Sequence, residues 1–266
     1  MVFTRLSKGL SVVLFLGYLI PQLLPWTTGY LALIPGRTIP FVWNIITAGY
    51  VEKSIFGMIV SISSLLISGK LLEPIWSTRE FLKFIVFVNA CTLGGVYVTA
   101  LISYYITKRE SFLYLPLSGF HGVISGFLVG VKQIVPNQEI TTLGGFHMRA
   151  KWLPSLFVLI SIILSFFTSE TMPYLPFVLF GTYSGWLYAR YLLRDPETNL
   201  FGSPGEEFAF STFFPPFIRS TVDALSSCCY KLWSKKQAMR KEDDDALEST
   251  SLPSLDSAEA SRWRCF

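Results

Sequence analysis

Gly69-Lys70-Leu71-Leu72-Glu73-Pro74-Ile75-Trp76-Ser77-Thr78-Arg79-Glu80 is a short polar stretch between two long apolar runs. Apolar runs of that length must be buried or lie in lipid. The stretch therefore reads as a charged turn joining two membrane helices. Gly69 can end a helix in the left-handed conformation, and Pro74 cannot continue one. Glu73 falls at the edge of the apolar zone, where a carboxylate is costly unless paired. Arg79 and Lys70 are the partners expected from proximity.

The bulk composition agrees. Of 266 residues, 51% are hydrophobic and only 15% charged, and the mean hydropathy is +0.47. Such values fit several membrane spans rather than a soluble domain. The four cysteines, Cys91, Cys228, Cys229 and Cys265, show neither a disulfide framework nor a zinc spacing. Two histidines, His121 and His147, leave little material for a metal site, so neither a metal nor a cofactor is expected.

Working outward, six spans emerge: Leu10–Leu24, Ile55–Ser68, Phe81–Tyr105, Pro116–Val131, Leu153–Phe167 and Pro173–Tyr191. The first follows Arg5 and Lys8 and lacks a small-residue cleavage site, so it reads as an uncleaved span. Between the first two spans, Trp26, Tyr30, Trp43 and Tyr50 suit a membrane–water interface. Pro35-Gly36-Arg37-Thr38-Ile39-Pro40 enters a semi-buried, non-spanning loop there. The fourth span carries Gly119, Gly122, Gly126 and Gly130, a small-residue stripe for close helix packing. Gly181 and Gly185 repeat that spacing in the sixth. Lys132 to Trp152 reads as a polar connection.

With the amino end in the cytosol, the inner segments hold Arg5, Lys8, Lys70, Arg79, Lys83, Lys132, Arg149, Lys151, Arg190 and Arg194. The outer loops hold only Arg37, Lys53, Lys108 and Arg109. The positive-inside rule supports this orientation, and six spans return the carboxyl end to the cytosol. Two parts follow: a membrane domain over 1–194 and a cytosolic tail over 195–266. Residues 195–241 are expected to be partly ordered. Residues 242–266, acidic and then serine-rich, are expected to be disordered. The basic cluster Lys231, Lys235, Lys236, Arg240 and Lys241 can touch anionic lipid or simply be a solvated helix face. Cys228 and Cys229 beside it are candidate lipidation sites.

Gly69, Glu73 and Arg79 opening a long span resemble the polar turn of the rhomboid superfamily. Gly119-Phe120-His121-Gly122-Val123-Ile124-Ser125-Gly126 is similar to its Gly-x-Ser-Gly signature and trailing glycine. Gly181-Thr182-Tyr183-Ser184-Gly185 resembles the segment that bears its catalytic histidine. Pro35-Gly36-Arg37, the Leu-Glu-Pro-x-Trp turn with Trp76, Lys132-Gln133 with Pro136, Glu206-Glu207-Phe208 and Phe213-Phe214-Pro215 resemble the Golgi transmembrane-protein-115 branch, in its plant-type form. That resemblance covers about Ile34 to Arg194 and the start of the tail. It implies an all-α membrane protein: a six-helix rhomboid-like transmembrane bundle with a cytosolic C-terminal tail.

The departures bear on chemistry. A serine protease needs a serine bonded to a histidine, and donors for the oxyanion. By the resemblance, the serine position holds His121 and the histidine position holds Thr182. The oxyanion-side asparagine and histidine positions hold Ser61 and Gly57. Ser118 and Ser125 lie near His121, but Ser125 is one turn along the same helix and Ser118 is off the matching face. His121 is then either a bundle-facing imidazole bonded to a neighbouring hydroxyl or carbonyl, or a pH sensor, since a free histidine titrates at about pH 6.5. The resemblance thus implies a non-enzymatic, multi-pass Golgi scaffold with both termini cytosolic. It would act in Golgi-to-endoplasmic-reticulum retrieval and indirectly in glycosylation. Its partners would be membrane lipids, transmembrane clients, trafficking or tethering proteins at the tail and a second copy of itself, with no nucleic acid. The alternatives are an intramembrane serine protease, which the missing dyad opposes, and a transporter, which the near absence of mid-span charges opposes.

Overall fold

The structure, a computed structural model, describes residues 4–38, 41–137, 139–141, 147–167 and 174–194. All of them lie in the unit Met1–Ala209. The tail, with Cys228 and Cys229, lies outside the described residues.

Nine α-helices appear among the described residues: α1 (Arg5–Leu23), α2 (Thr28–Leu31), α3 (Asn44–Thr47), α4 (Ile55–Trp76), α5 (Thr78–Thr107), α6 (Ser111–Tyr114), α7 (His121–Ile134), α8 (Leu153–Phe167) and α9 (Leu175–Leu187). Six are long and build the bundle; α2, α3 and α6 are single turns in the connections. Among the described residues, four segments are long and apolar enough to cross a membrane: α1, α4, α5 and Ala150–Phe167, which contains α8. They stay apolar on the outer face. Phe56, Ile59 and Ile67 of α4, Ile102 and Ile106 of α5, and Phe166 and Phe167 of α8 are all exposed. A helix apolar all round belongs in lipid. α5 rises about 45 Å over its 30 residues, more than a hydrocarbon core of about 30 Å.

The remaining two bundle helices are shorter and central. α7 has 14 residues and α9 has 13, the latter running on into a π-helical turn, Tyr188–Leu192. Glycine makes their contact possible. A Cβ on Gly181 would lie 2.2 Å from Gly122 O and 2.3 Å from Ser125 Oγ, and one on Gly185 would lie 2.8 Å from Gly126 Cα. Backbone therefore meets backbone, the small-residue packing that membrane bundles use in place of a hydrophobic drive. Around this contact, Phe127 stacks on Phe81 and Phe84 at ring-centroid distances of 5.6 and 6.1 Å. Trp76 packs on Phe84 at 5.1 Å.

Several expectations need correction. The turn is not the twelve-residue stretch but one residue. α4 runs through Gly69 and Pro74 to Trp76, and Ser77 (φ 73°, ψ 152°) is both its C-cap and the N-cap of α5. Gly69 does not end a helix; a Cβ there would lie 2.3 Å from Ser7 Oγ, so it admits α1 against α4. Pro74 rides on the exposed side of the last turn. Glu73 is buried, with 4% exposure, and hydroxyls rather than cations meet its carboxylate. Thr4 Oγ1 and Ser7 Oγ donate to Oε2, the latter at 3.2 Å, and Thr78 Oγ1 donates to Oε1 at 2.8 Å. Arg79 is exposed instead. The reason is positional: α1 begins at Arg5 rather than Leu10, and its N-cap Thr4 lands on Glu73.

Gly119 also differs from expectation. α7 starts at His121, so Gly119 stands in the approach loop, where its φ of +137° is one that only glycine adopts comfortably. The glycines that share the helix face are Gly122, Gly126 and Gly130, and Gly130 serves α4, its missing Cβ making room for Trp76. The polar connection holds a two-stranded antiparallel ribbon, β1 (Glu139–Thr141) with β2 (His147–Arg149), in the register Glu139↔Arg149.

Candidate functional site

α4, α7 and α9 all begin at the loop-rich end of the bundle, and the residues singled out from the sequence converge there. The approach to α7 is pinned by the segment between α1 and α4. Leu33 and Leu117 exchange backbone hydrogen bonds of 2.9 and 2.8 Å. Gly119 N–H donates to Ala48 O at 3.1 Å, and Lys53 Nζ donates to Pro116 O. Burial pushes the Lys53 ammonium below the usual lysine pKa, and burial raises the Tyr50 phenol. The Tyr50 ring lies 5.9 Å from that of Phe120.

Glu52 is at the centre, 3% exposed. Its Oε1 accepts from Ser61 Oγ at 2.7 Å and from Phe120 N–H at 2.9 Å. Phe120 is the N-cap of α7, so the carboxylate takes up one of the donors that a helix start leaves unpaired, on the side the helix dipole makes positive. A Cβ on Gly57 would lie 2.9 Å from Glu52 Oε2. One on Gly119 would lie 3.1 Å from His121 Nε2 and 3.8 Å from Glu52 Oε2. Gly57, Ser61, Gly119 and His121 are thus brought to one place, and what they surround is a carboxylate.

His121 is half-buried, its ring edge-on to Tyr174 at 5.2 Å. Thr182 is buried on α9, and its Oγ1 donates to Val178 O at 2.8 Å within its own helix. Ser125 Oγ donates to Gly122 O at 2.8 Å. Ser118 lies in the approach loop rather than on α7, and its Oγ is buried without a hydrogen-bond partner among the described residues. Among the described residues, the hydroxyls nearest His121 along the chain therefore serve backbone carbonyls or have no partner, and none is bonded to a basic side chain. Among the described residues, no three His, Cys, Asp or Glu side chains gather as a metal would require. The single free cysteine described, Cys91, is exposed on α5.

Glu52 escaped the reading of the sequence because its partners stand 9 and 68 residues away, beyond any local pattern. One signal was available: it is the only acidic residue before Glu73.

The comparisons with known proteins agree with this architecture. Residues 8–265 match the family described as "Eukaryotic integral membrane protein (DUF1751)". Rhomboid-like protein 19 of Arabidopsis thaliana is 52% identical over 98% of this chain and 86% of its own length. Transmembrane protein 115 of Mus musculus is 30% identical over 96% of this chain and 73% of its own length. The Transmembrane protein 115 homolog of Saccharomyces cerevisiae is 22% identical over 77% of this chain and 66% of its own length. With its bundle of apolar helices, the chain belongs to the rhomboid-like family of multi-pass integral membrane proteins that includes Rhomboid-like protein 19 and Transmembrane protein 115.

Proposed function

We propose that this protein is a non-catalytic rhomboid-like scaffold of the Golgi membrane. In this reading the helical bundle recognises transmembrane segments of client proteins. The tail, residues 195–266, recruits trafficking or tethering machinery from the cytosol, where both termini lie. The scaffold acts in Golgi-to-endoplasmic-reticulum retrograde transport and through it, indirectly, in glycosylation.

The observation that carries the non-catalytic part is the arrangement at the start of α7. A serine nucleophile must be hydrogen-bonded to a base to be activated. Here His121 faces Tyr174 and Thr182 is turned back on its own helix. A buried carboxylate accepts the Ser61 hydroxyl and the Phe120 N–H. Both donors are thereby already engaged, so neither is free to stabilise a developing oxyanion. The Golgi setting and the retrieval role rest on the resemblance to the transmembrane-protein-115 branch.

A serine-reactive fluorophosphonate probe tests the chemistry. Applied to the full chain in native membranes, it is expected to label wild type no more than Ser118→Ala or Ser125→Ala. Labelling that vanished in either variant would contradict the reading.

A further inference from the structure

We propose that the corner of the bundle where α1, α4 and α5 meet binds an anionic phospholipid through Arg5, Lys8 and Arg79. The corner is organised by Glu73, whose buried carboxylate accepts from Thr4, Ser7 and Thr78. Each of those hydroxyl residues is followed in the chain by a cation: Thr4 by Arg5, Ser7 by Lys8 and Thr78 by Arg79. Three inward hydroxyls on one carboxylate therefore bring three cations to one corner. All three cations are exposed. Among the described residues, none of their side chains is in an ion pair or a hydrogen bond. The carboxylates of this corner are engaged elsewhere, Glu73 by hydroxyls and Glu80 by Lys83 and Tyr188. With Lys70 and Lys83 included, five cations stand there against two carboxylates.

What lies beside the cations selects a lipid over a soluble anion. Residues three, four or seven apart share a helix face. Lys8 stands one turn before the exposed Val12 on α1, and Arg79 precedes Leu82 and Val86, both exposed, on α5. Both helices are apolar enough to cross a membrane, and both begin at this corner. Each therefore sets a free cation at the head of an apolar stripe. A phospholipid matches both parts: its phosphate meets the guanidinium and ammonium groups, and its acyl chains lie along Val12, Leu82 and Val86. An acidic peptide would match the charge and leave the stripes uncovered. In the orientation proposed above, this corner faces the cytosolic leaflet, whose anionic lipids attract each Lys or Arg by roughly fivefold in affinity.

The test uses the full-length protein in neutral detergent micelles, with thermal unfolding followed as lipid is added. Dioleoyl phosphatidylserine is expected to raise Tm by roughly 3 °C or more at saturation, and dioleoyl phosphatidylcholine to leave it unchanged. The triple variant Arg5→Gln, Lys8→Gln, Arg79→Gln should need at least about tenfold more phosphatidylserine for the same rise. Arg37→Gln, Lys108→Gln, Arg109→Gln removes three exposed cations from the opposite end and should respond as wild type does. Equal effects of the two lipids, an unweakened response in the first triple variant, or an equal weakening in the second would each overturn the proposal. So would a synthetic peptide of residues 242–249, which carries the acidic run of the tail, if it raised Tm as phosphatidylserine does and competed with it. If the first triple variant is not recovered as folded protein, Lys8→Gln and Arg79→Gln decide singly. Each should weaken the response by about fivefold, and a wild-type response in both would overturn the proposal.

Discussion

Replacing Gly181 by leucine is expected to abolish accumulation of the folded protein, and replacing it by alanine to destabilise the bundle by about 1–3 kcal/mol. The added atom has nowhere to go. Its Cβ would lie 2.2 Å from Gly122 O and 2.6 Å from Gly122 Cα, so α9 and α7 must separate. Backbone atoms cannot rotate away as a side chain can. Separation also withdraws the dispersion contacts along the rest of the seam, where Gly185 meets Gly126. Gly94 on α5 is the matched control. A Cβ there meets nothing within 4 Å, so Gly94→Ala should be neutral or stabilising by up to about 1 kcal/mol, through helix propensity alone. Thermal unfolding of the two alanine variants side by side checks the sign as well as the size. Equal behaviour would mean that the glycine seam does not hold the bundle.

The second large effect is expected at Glu73. Glu73→Ala should cost about 2–3 kcal/mol, because three hydroxyls lose a charged acceptor in a buried place. The loss falls short of the sum of three bonds, since the cost of burying the charge disappears with it. Glu73→Gln should cost about half as much, because an amide oxygen still accepts. The effect should be local to α1: Thr4 and Ser7 are what tie its start to α4, so limited proteolysis near the amino end should accelerate in Glu73→Ala. Arg79→Ala provides the contrast. An exposed arginine contributes within about 0.5 kcal/mol. Were Arg79 the partner that its position in sequence suggests, both substitutions would be equally damaging.

These two sites also mark what the sequence could and could not reveal. The glycine spacing on α7 and α9 was legible because a helix repeats locally, and residues three or four apart must share a face. The span Leu153–Phe167 was legible for the same reason, and all of it is helical in the structure. The polar turn was legible as a turn but not as a single residue. Gly69 and Pro74 are helix breakers by propensity, yet packing against Ser7 and an exposed place in the last turn let α4 continue through both. Gly119 read as part of the small-residue stripe because its spacing fits; only its backbone angle separates it from Gly122. Glu73 was correctly expected to need a partner, but the partners came from the amino end, 66 and 69 residues away, as well as from Thr78. Glu52 was missed entirely, for the same reason of distance. In both cases the chemistry of the carboxylate was visible in the sequence, whereas its neighbours were set by the tertiary fold.

Two further buried polar side chains tie distant segments of the bundle together. Asn89 Nδ2 donates to Ile46 O at 2.7 Å, and its amide leaves room for nothing but glycine at position 49. Glu80 accepts from Lys83 Nζ at 2.7 Å and from Tyr188 OH at 3.0 Å. The π-helical turn beginning at Tyr188 keeps that ring between Phe84 and Phe87.

The central claim, a scaffold with a membrane-embedded and a cytosolic binding surface, is tested most directly by partner capture. The full-length protein and a version truncated after Arg194 would be crosslinked in intact Golgi-enriched membranes and their partners compared. The account predicts that truncation removes coat or tether proteins while membrane clients remain crosslinked and uncut. Membrane clients recovered as cleaved fragments, with nothing captured by the tail, would contradict it.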